Sequence, residues 1–66
     1  MNLGTNLYNA RKKRGLSQEE VAEKLGVSRQ TISKWETDET LPDIRQAKRL
    51  AGLYRLTLDD LIAFDA

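Results

Sequence analysis

Arg29, Gln30, Ser33 and Lys34 lie within the seven-residue stretch 29–35, with Ile32 and Trp35 among them. At about 100° per residue, a helix through this segment turns Ile32 and Trp35 to one side. Arg29, Gln30, Ser33, Lys34 and Thr37 then face the other way. That outward face is polar, cationic and dense in hydrogen-bond donors. Arg can bond guanine O6 and N7 in bidentate fashion, and Gln can do the same to adenine N6 and N7. Arg29 and Gln30 stand at the N-terminal end of the segment, the end of a recognition helix that meets base edges. Arg29, Gln30 and Lys34 are therefore the leading candidates for reading bases. Ser28 and Ser33 are secondary candidates, and Ser28 also has a structural role as a helix cap. A polar face is ordinary on any surface helix, so the elements around it must decide between the two readings.

Ser17 precedes Glu20 by three residues, a capping-box spacing in which a hydroxyl and a carboxylate satisfy orphan backbone N–H groups. Val21, Ala22 and Leu25 fall on one helical face, and Gly26 suits the left-handed position beyond a helix end. The spacing predicts helices over 18–25 and 29–36. Gln18 opens the first of these, where backbone N–H groups favour an anion. Leu3, Leu7 and Ala10 predict an earlier helix from about residue 3 to Arg14, closing in the basic run Arg11–Arg14 and ended by Gly15. Thr37–Leu41 is a loop. Pro42 and Asp43 open a fourth helix, ending near Leu53 or Tyr54, with Ile44, Ala47, Leu50 and Ala51 expected inward. Thr57 and Asp60 cap a fifth, with Leu58, Leu61 and Ile62 as its apolar side. Trp35 is expected to pack beside Ile32 rather than stack on a base. Tyr8 and Tyr54 are expected half-buried at edges. The fold class is all-α, a compact five-helix bundle with a central helix-turn-helix, as one domain over residues 1–66.

The segment from Gln18 to Trp35 resembles the helix-turn-helix of the phage repressor/Cro family, also called the XRE family of bacterial regulators. Ala22, Gly26 and Ile32 match its small residue, its turn glycine and its β-branched packing residue. Asn9–Ser17, Trp35-Glu36, Leu41-Pro42-Asp43 and Leu56–Leu61 resemble its flanking elements, so the likeness runs from about Leu3 to Ile62. The resemblance implies a sequence-specific transcriptional regulator that reads the major groove with its third helix, as a homodimer on a pseudo-palindromic operator. It implies a bridge between Arg11 and Glu36, and phosphate contacts from Gln18, with Ser17, Lys12 and Thr37 as further phosphate candidates. It also implies dimerisation through the last helix, where Leu61, Ile62 and Phe64 are the apolar candidates. The chain departs from the family after its third helix. A Gly and a basic or polar residue are usual there, and this chain has Asp38 and Glu39. Asp tolerates a left-handed backbone. Two acids beside the expected phosphate track should oppose DNA.

Composition narrows the alternatives. A chain of 66 residues buries only about 60% of its unfolded surface, so packing must be efficient. With no Cys and no His, disulfides and Cys-based zinc sites are excluded, and the commonest general base is missing. Asp59 and Asp60 are adjacent, face different directions on a helix, and do not make a catalytic pair. No enzyme activity, cofactor or metal site is expected. No apolar run approaches the roughly 18 residues that span a bilayer, and there is no signal-peptide core, so the reading is cytoplasmic. Net charge is only +1, but it is uneven. Residues 1–36 carry seven basic and four acidic side chains, and residues 37–66 carry four and six. The basic half contains the proposed reading face, as steering toward phosphate requires. The weak net charge and the acidic loop support a second reading, a helix-turn-helix module that docks to protein, such as an antitoxin-like partner.

Overall fold

The computed structural model describes residues 3–62. They form five helices: α1 (Leu3–Lys13), α2 (Gln18–Leu25), α3 (Arg29–Glu36), α4 (Ile44–Leu53) and α5 (Leu58–Ile62). Helix α3 packs against α2 and α1, while α5 closes against α1 and α4. None of these helices is long and apolar enough to cross a membrane.

The helix starts follow from short polar side chains. Ser17 Oγ accepts from the Glu20 N–H at 3.0 Å, and the Ser17 N–H donates to Glu20 Oε1 at 2.8 Å, completing the capping box. Asp43 Oδ1 accepts from the Gln46 N–H at 2.8 Å. Thr57 and Asp60 exchange the same reciprocal pair at the start of α5.

The helix ends share one device. Gly15, Gly26, Asp38 and Arg55 all take positive φ, at 70°, 73°, 62° and 60°. In each case the next N–H donates to a carbonyl five residues back: Leu16 to Arg11, Val27 to Ala22, Glu39 to Lys34 and Leu56 to Ala51. This is the Schellman arrangement, which satisfies carbonyls left open at a helix end. It gives α1–α4 abrupt stops and hence short, defined turns.

The core gathers Leu7 and Ala10 of α1, Val21, Ala22 and Leu25 of α2, Ile32 and Trp35 of α3, Leu50 and Ala51 of α4, Tyr54 and Leu61. Leu16 and Val27, each just past a helix end, pack against it. Three expectations need correction. Ile44 is 69% exposed, because α4 packs through Ala47, Leu50 and Ala51 and its first turn offers Ile44 no cover. Tyr54 is buried rather than half-buried, because it continues the Ala47–Leu50–Ala51 face of α4 at helical spacing. Leu61 is fully buried, so it belongs to the core and cannot supply a dimer surface. Ile62 is exposed, and Phe64 lies outside the described residues.

Two contacts join distant parts of the chain. Asn6 Nδ2 donates to the Leu61 carbonyl at 2.9 Å, tying α5 to α1. The Gly4 N–H donates to Asp38 Oδ1 at 3.0 Å, so the loop after α3 caps the start of α1. The fit is close: a Cβ at Gly4 would stand 2.6 Å from the Glu36 carbonyl oxygen.

These features separate two helix-end substitutions. Arg55→Gly relieves a left-handed backbone costing about 1–2 kcal/mol and should, after the entropic cost of glycine, raise stability by about 0.5–1 kcal/mol. Asp38→Gly relieves the same strain but loses the bond to Gly4, and should give no gain. Trp35→Ala and Ile32→Ala should each cost about 2–5 kcal/mol. Urea denaturation of the four variants checks all three statements. Equal stabilisation by Arg55→Gly and Asp38→Gly would show that the Asp38 carboxylate does not cap α1.

Candidate nucleic-acid interface

Behind the outward face of α3 lies a buried ion pair. Arg11 Nε donates to Glu36 Oε2 at 2.7 Å and Arg11 Nη2 donates to Glu36 Oε1 at 3.1 Å. The side chains are only 9% and 4% exposed. A two-pronged guanidinium–carboxylate contact fixes direction as well as distance. Arg11 Nη1 also donates to the Leu16 carbonyl at 2.9 Å, and the guanidinium lies 5.3 Å from the centre of the Tyr8 ring. The bond to Glu36 outweighs the effect of burial and raises the Arg11 pKa. Burial, reinforced by the Glu36 charge, pushes the Tyr54 hydroxyl up to about 12, so it stays protonated at neutral pH.

From Glu36 the network continues outward. Gln18 Nε2 donates to Glu36 Oε1 at 3.0 Å, and Gln18 Oε1 accepts from Arg29 Nη1 at 3.4 Å. One carboxylate at the end of α3 thereby holds α1 and the start of α2. Gln18 in turn touches the first residue of α3. The fixed amide of Gln18 retains one N–H for a further acceptor.

Arg29 is common to two shallow depressions. The first lies between the end of α1 and the start of α2 and is lined by Lys12, Ser17 and Gln18 together with Arg29, with Glu19 and Glu20 also present. The second runs along α3 and is lined by Arg29, Gln30, Ser33, Lys34 and Glu39. Arg29, Gln30 and Lys34 are exposed, while Ser33 is partly covered. The two groups of candidates are thus continuous, one beside a helix N-terminus and one along a helix face.

Ser28 and Thr37 are not gathered with them. Ser28 Oγ accepts from the Thr31 N–H at 3.1 Å and shares a hydrogen bond with Thr31 Oγ1 at 3.0 Å, as its capping role requires. Thr37 Oγ1 lies 3.2 Å from the Lys34 carbonyl and 2.8 Å from Glu39 Oε2, turned back on its own helix end. The acidic loop also divides. Asp38 points to the start of α1, whereas Glu39 joins the depression along α3. The sequence places Glu39 beside the phosphate track; the left-handed turn at Asp38 brings it instead to the depression along α3. Arg49 is a second feature that spacing did not reveal. Its guanidinium donates to the Lys24 carbonyl at 3.1 Å and approaches the Leu25 carbonyl at 3.4 Å, capping the end of α2 from α4. Among the described residues no cluster of His, Cys, Asp or Glu is placed to hold a metal ion.

The buried pair predicts a sharp contrast within α3. Glu36→Ala leaves the Arg11 charge buried without its partner and should cost about 3–5 kcal/mol, enough to unfold much of so small a domain. Lys34→Ala, at an exposed position, should change stability by less than about 0.5 kcal/mol. Thermal melts followed by circular dichroism check this, and similar melting of both variants would contradict it.

Comparison with known proteins agrees with this geometry. A helix-turn-helix family profile matches residues 7–61. The HTH-type transcriptional regulator ImmR of Bacillus subtilis (strain 168) is 38% identical over 65 residues, covering 98% of this chain and 51% of that protein. The HTH-type transcriptional activator BcrR of Enterococcus faecalis is 35% identical over 63 residues, covering 96% of this chain and 31% of that protein. An uncharacterised HTH-type transcriptional regulator of Archaeoglobus fulgidus is 38% identical over 61 residues, covering 92% of this chain and 87% of that protein. The chain therefore spans about half of ImmR and about a third of BcrR, but most of the archaeal protein. With capped helices on either side of the Gly26 turn, and with a family match over most of its length, this chain belongs to the XRE-type helix-turn-helix family.

Proposed function

We propose that this chain is a DNA-binding transcriptional regulator that reads the major groove with α3. One observation carries the reading. Arg29, Gln30, Ser33 and Lys34 line a single exposed depression, which meets the Lys12–Ser17–Gln18 depression at Arg29. Bases call for the first set and phosphates for the second. In this reading Arg29, Gln30 and Lys34 contact base edges, with Ser33 and Ser28 at the margin. Lys12, Ser17 and Gln18 take phosphate, using the N-terminus of α2 as well as their side chains. Thr37 reaches phosphate only if its hydroxyl leaves Lys34 and Glu39. The rigid ion pair behind α3 supports the same role, since a reader must hold its side chains in register before it binds.

The chain acts as a homodimer on a pseudo-palindromic operator. Two recognition helices then meet half-sites about 34 Å apart, one turn of B-DNA. A single reading head makes few phosphate contacts and binds weakly, so doubling them is the route to useful affinity. Of the apolar residues named for the dimer contact, Ile62, at the end of α5, is the described one that is exposed. The relatives named as transcriptional regulators support a regulatory role and leave both activation and repression open to this chain. Its setting is the cytoplasm, where the DNA of a bacterial or archaeal cell lies.

The test separates two classes of variant in binding titrations on a selected duplex and a random duplex. Arg29→Ala or Gln30→Ala should cost about 1–3 kcal/mol on the selected duplex and relax base preference at one position. Lys12→Ala should weaken binding to both duplexes alike and reduce the salt slope by about 0.9 per subunit, or about 1.8 for the dimer. No binding to either duplex at low salt would instead favour a module that docks to protein, such as an antitoxin-like partner.

A further inference from the structure

Glu39 occupies a position that the other helix ends give to apolar residues. Leu16, Val27 and Leu56 follow the left-handed residues of α1, α2 and α4. After α3 the equivalent residue is an acid. Its backbone is pinned, since the Glu39 N–H donates to the Lys34 carbonyl at 2.9 Å. Its carboxylate is pinned as well, because Thr37 Oγ1 lies 2.8 Å from Oε2. Thus held, it shares a depression with Arg29, Gln30, Ser33 and Lys34. The ion pair described among residues 3–62 is Arg11–Glu36, so the Glu39 carboxylate keeps open acceptor sites amid cations.

A carboxylate accepts hydrogen bonds and donates none at neutral pH. Along the major groove, guanine and thymine offer it only acceptors, apart from the thymine methyl group. Adenine offers the N6 amino group but sets the N7 acceptor beside it. Cytosine offers the N4 amino group with no acceptor of its own alongside. Across the pair from cytosine stand guanine O6 and N7, which suit an ammonium or guanidinium. A carboxylate and a cation in one depression are therefore complementary to the two sides of a G·C pair.

We propose that Glu39 is a base-specificity residue that accepts from the N4 amino group of a cytosine, while Lys34 takes the guanine paired with it. This rests on the reading of α3 as the groove-facing helix. It differs from simple repulsion between an acidic loop and phosphate, which would lower affinity for every sequence equally.

Selection of bound sequences from a random duplex pool tests the assignment with wild type, Glu39→Ala and Glu39→Gln. Glu39 is exposed, and thermal melts of both variants should match wild type. Wild type should enrich cytosine at one position of each half-site, with discrimination on the order of tenfold against guanine or thymine. Glu39→Ala should weaken that preference to the part Lys34 supplies through the paired guanine, and keep the others. Glu39→Gln should shift it to adenine, because an amide can bond N6 and N7 together. An unchanged consensus for Glu39→Ala, with tighter binding to all duplexes, would overturn the assignment and leave α3 as the reader. Failure of wild type to enrich any sequence would overturn the DNA-reading proposal itself, and this inference with it.

Discussion

The Arg11–Glu36 pair is the constraint on which the placement of α3 depends. It joins the last turn of α1 to the last turn of α3, and its buried oxygen also receives Gln18 from α2. Three helices meet at one carboxylate. Burying two charges costs several kcal/mol per ion, and even a well-made pair need not add net stability. What it supplies is direction. The guanidinium fork admits few orientations of Glu36, and Glu36 sits three residues beyond Ser33 and two beyond Lys34. The angle of the polar face is thus set from inside the protein.

The Schellman ends work to the same purpose. A short domain has little core to spare, and loose turns would let α3 drift relative to α2. Left-handed residues at Gly15, Gly26 and Asp38 close the ends of α1–α3 within one or two residues. Asp38 serves twice, since its backbone ends α3 and its carboxylate caps α1. This is why an acid can occupy a position where a glycine is usual for the family: the lost conformational ease is offset by a bond to an orphan N–H at a helix start. Glu39 follows as the next residue and is delivered to the outer face by the same turn.

Much of this was legible in the sequence. Capping residues at Ser17, Ser28, Asp43 and Thr57 mark four helix starts, and the spacing of Ile32 and Trp35 gives the buried side of α3. The Arg11–Glu36 bridge was implied by family resemblance, because no local rule links residues 25 apart. The contacts that were not legible are those made over long separations by ordinary residue types. Nothing local couples Asp38 to Gly4, Asn6 to Leu61, or Arg49 to the end of α2. Arg55 ends α4 with a left-handed backbone although no glycine announces it. Ile44 and Leu61 show the limit of periodicity. A pattern gives the face of a helix, but whether another element covers that face is decided by tertiary packing. Of the candidate site, the members on α3 and at the start of α2 were readable from type and position, whereas Glu39 was readable only as an acid near the phosphate track and its place along α3 needed the turn geometry.

The central claim is that the surface formed by α3 and the start of α2 meets DNA. Chemical-shift mapping of the labelled protein, titrated with a short duplex at low salt, tests it most directly. The account predicts that perturbations concentrate at Lys12, at Ser17 and Gln18, and from Arg29 to Lys34 with Glu39, and fade as salt is added. Perturbations centred on the exposed residues of α4 and α5, with Arg29, Gln30 and Lys34 unmoved, would contradict it.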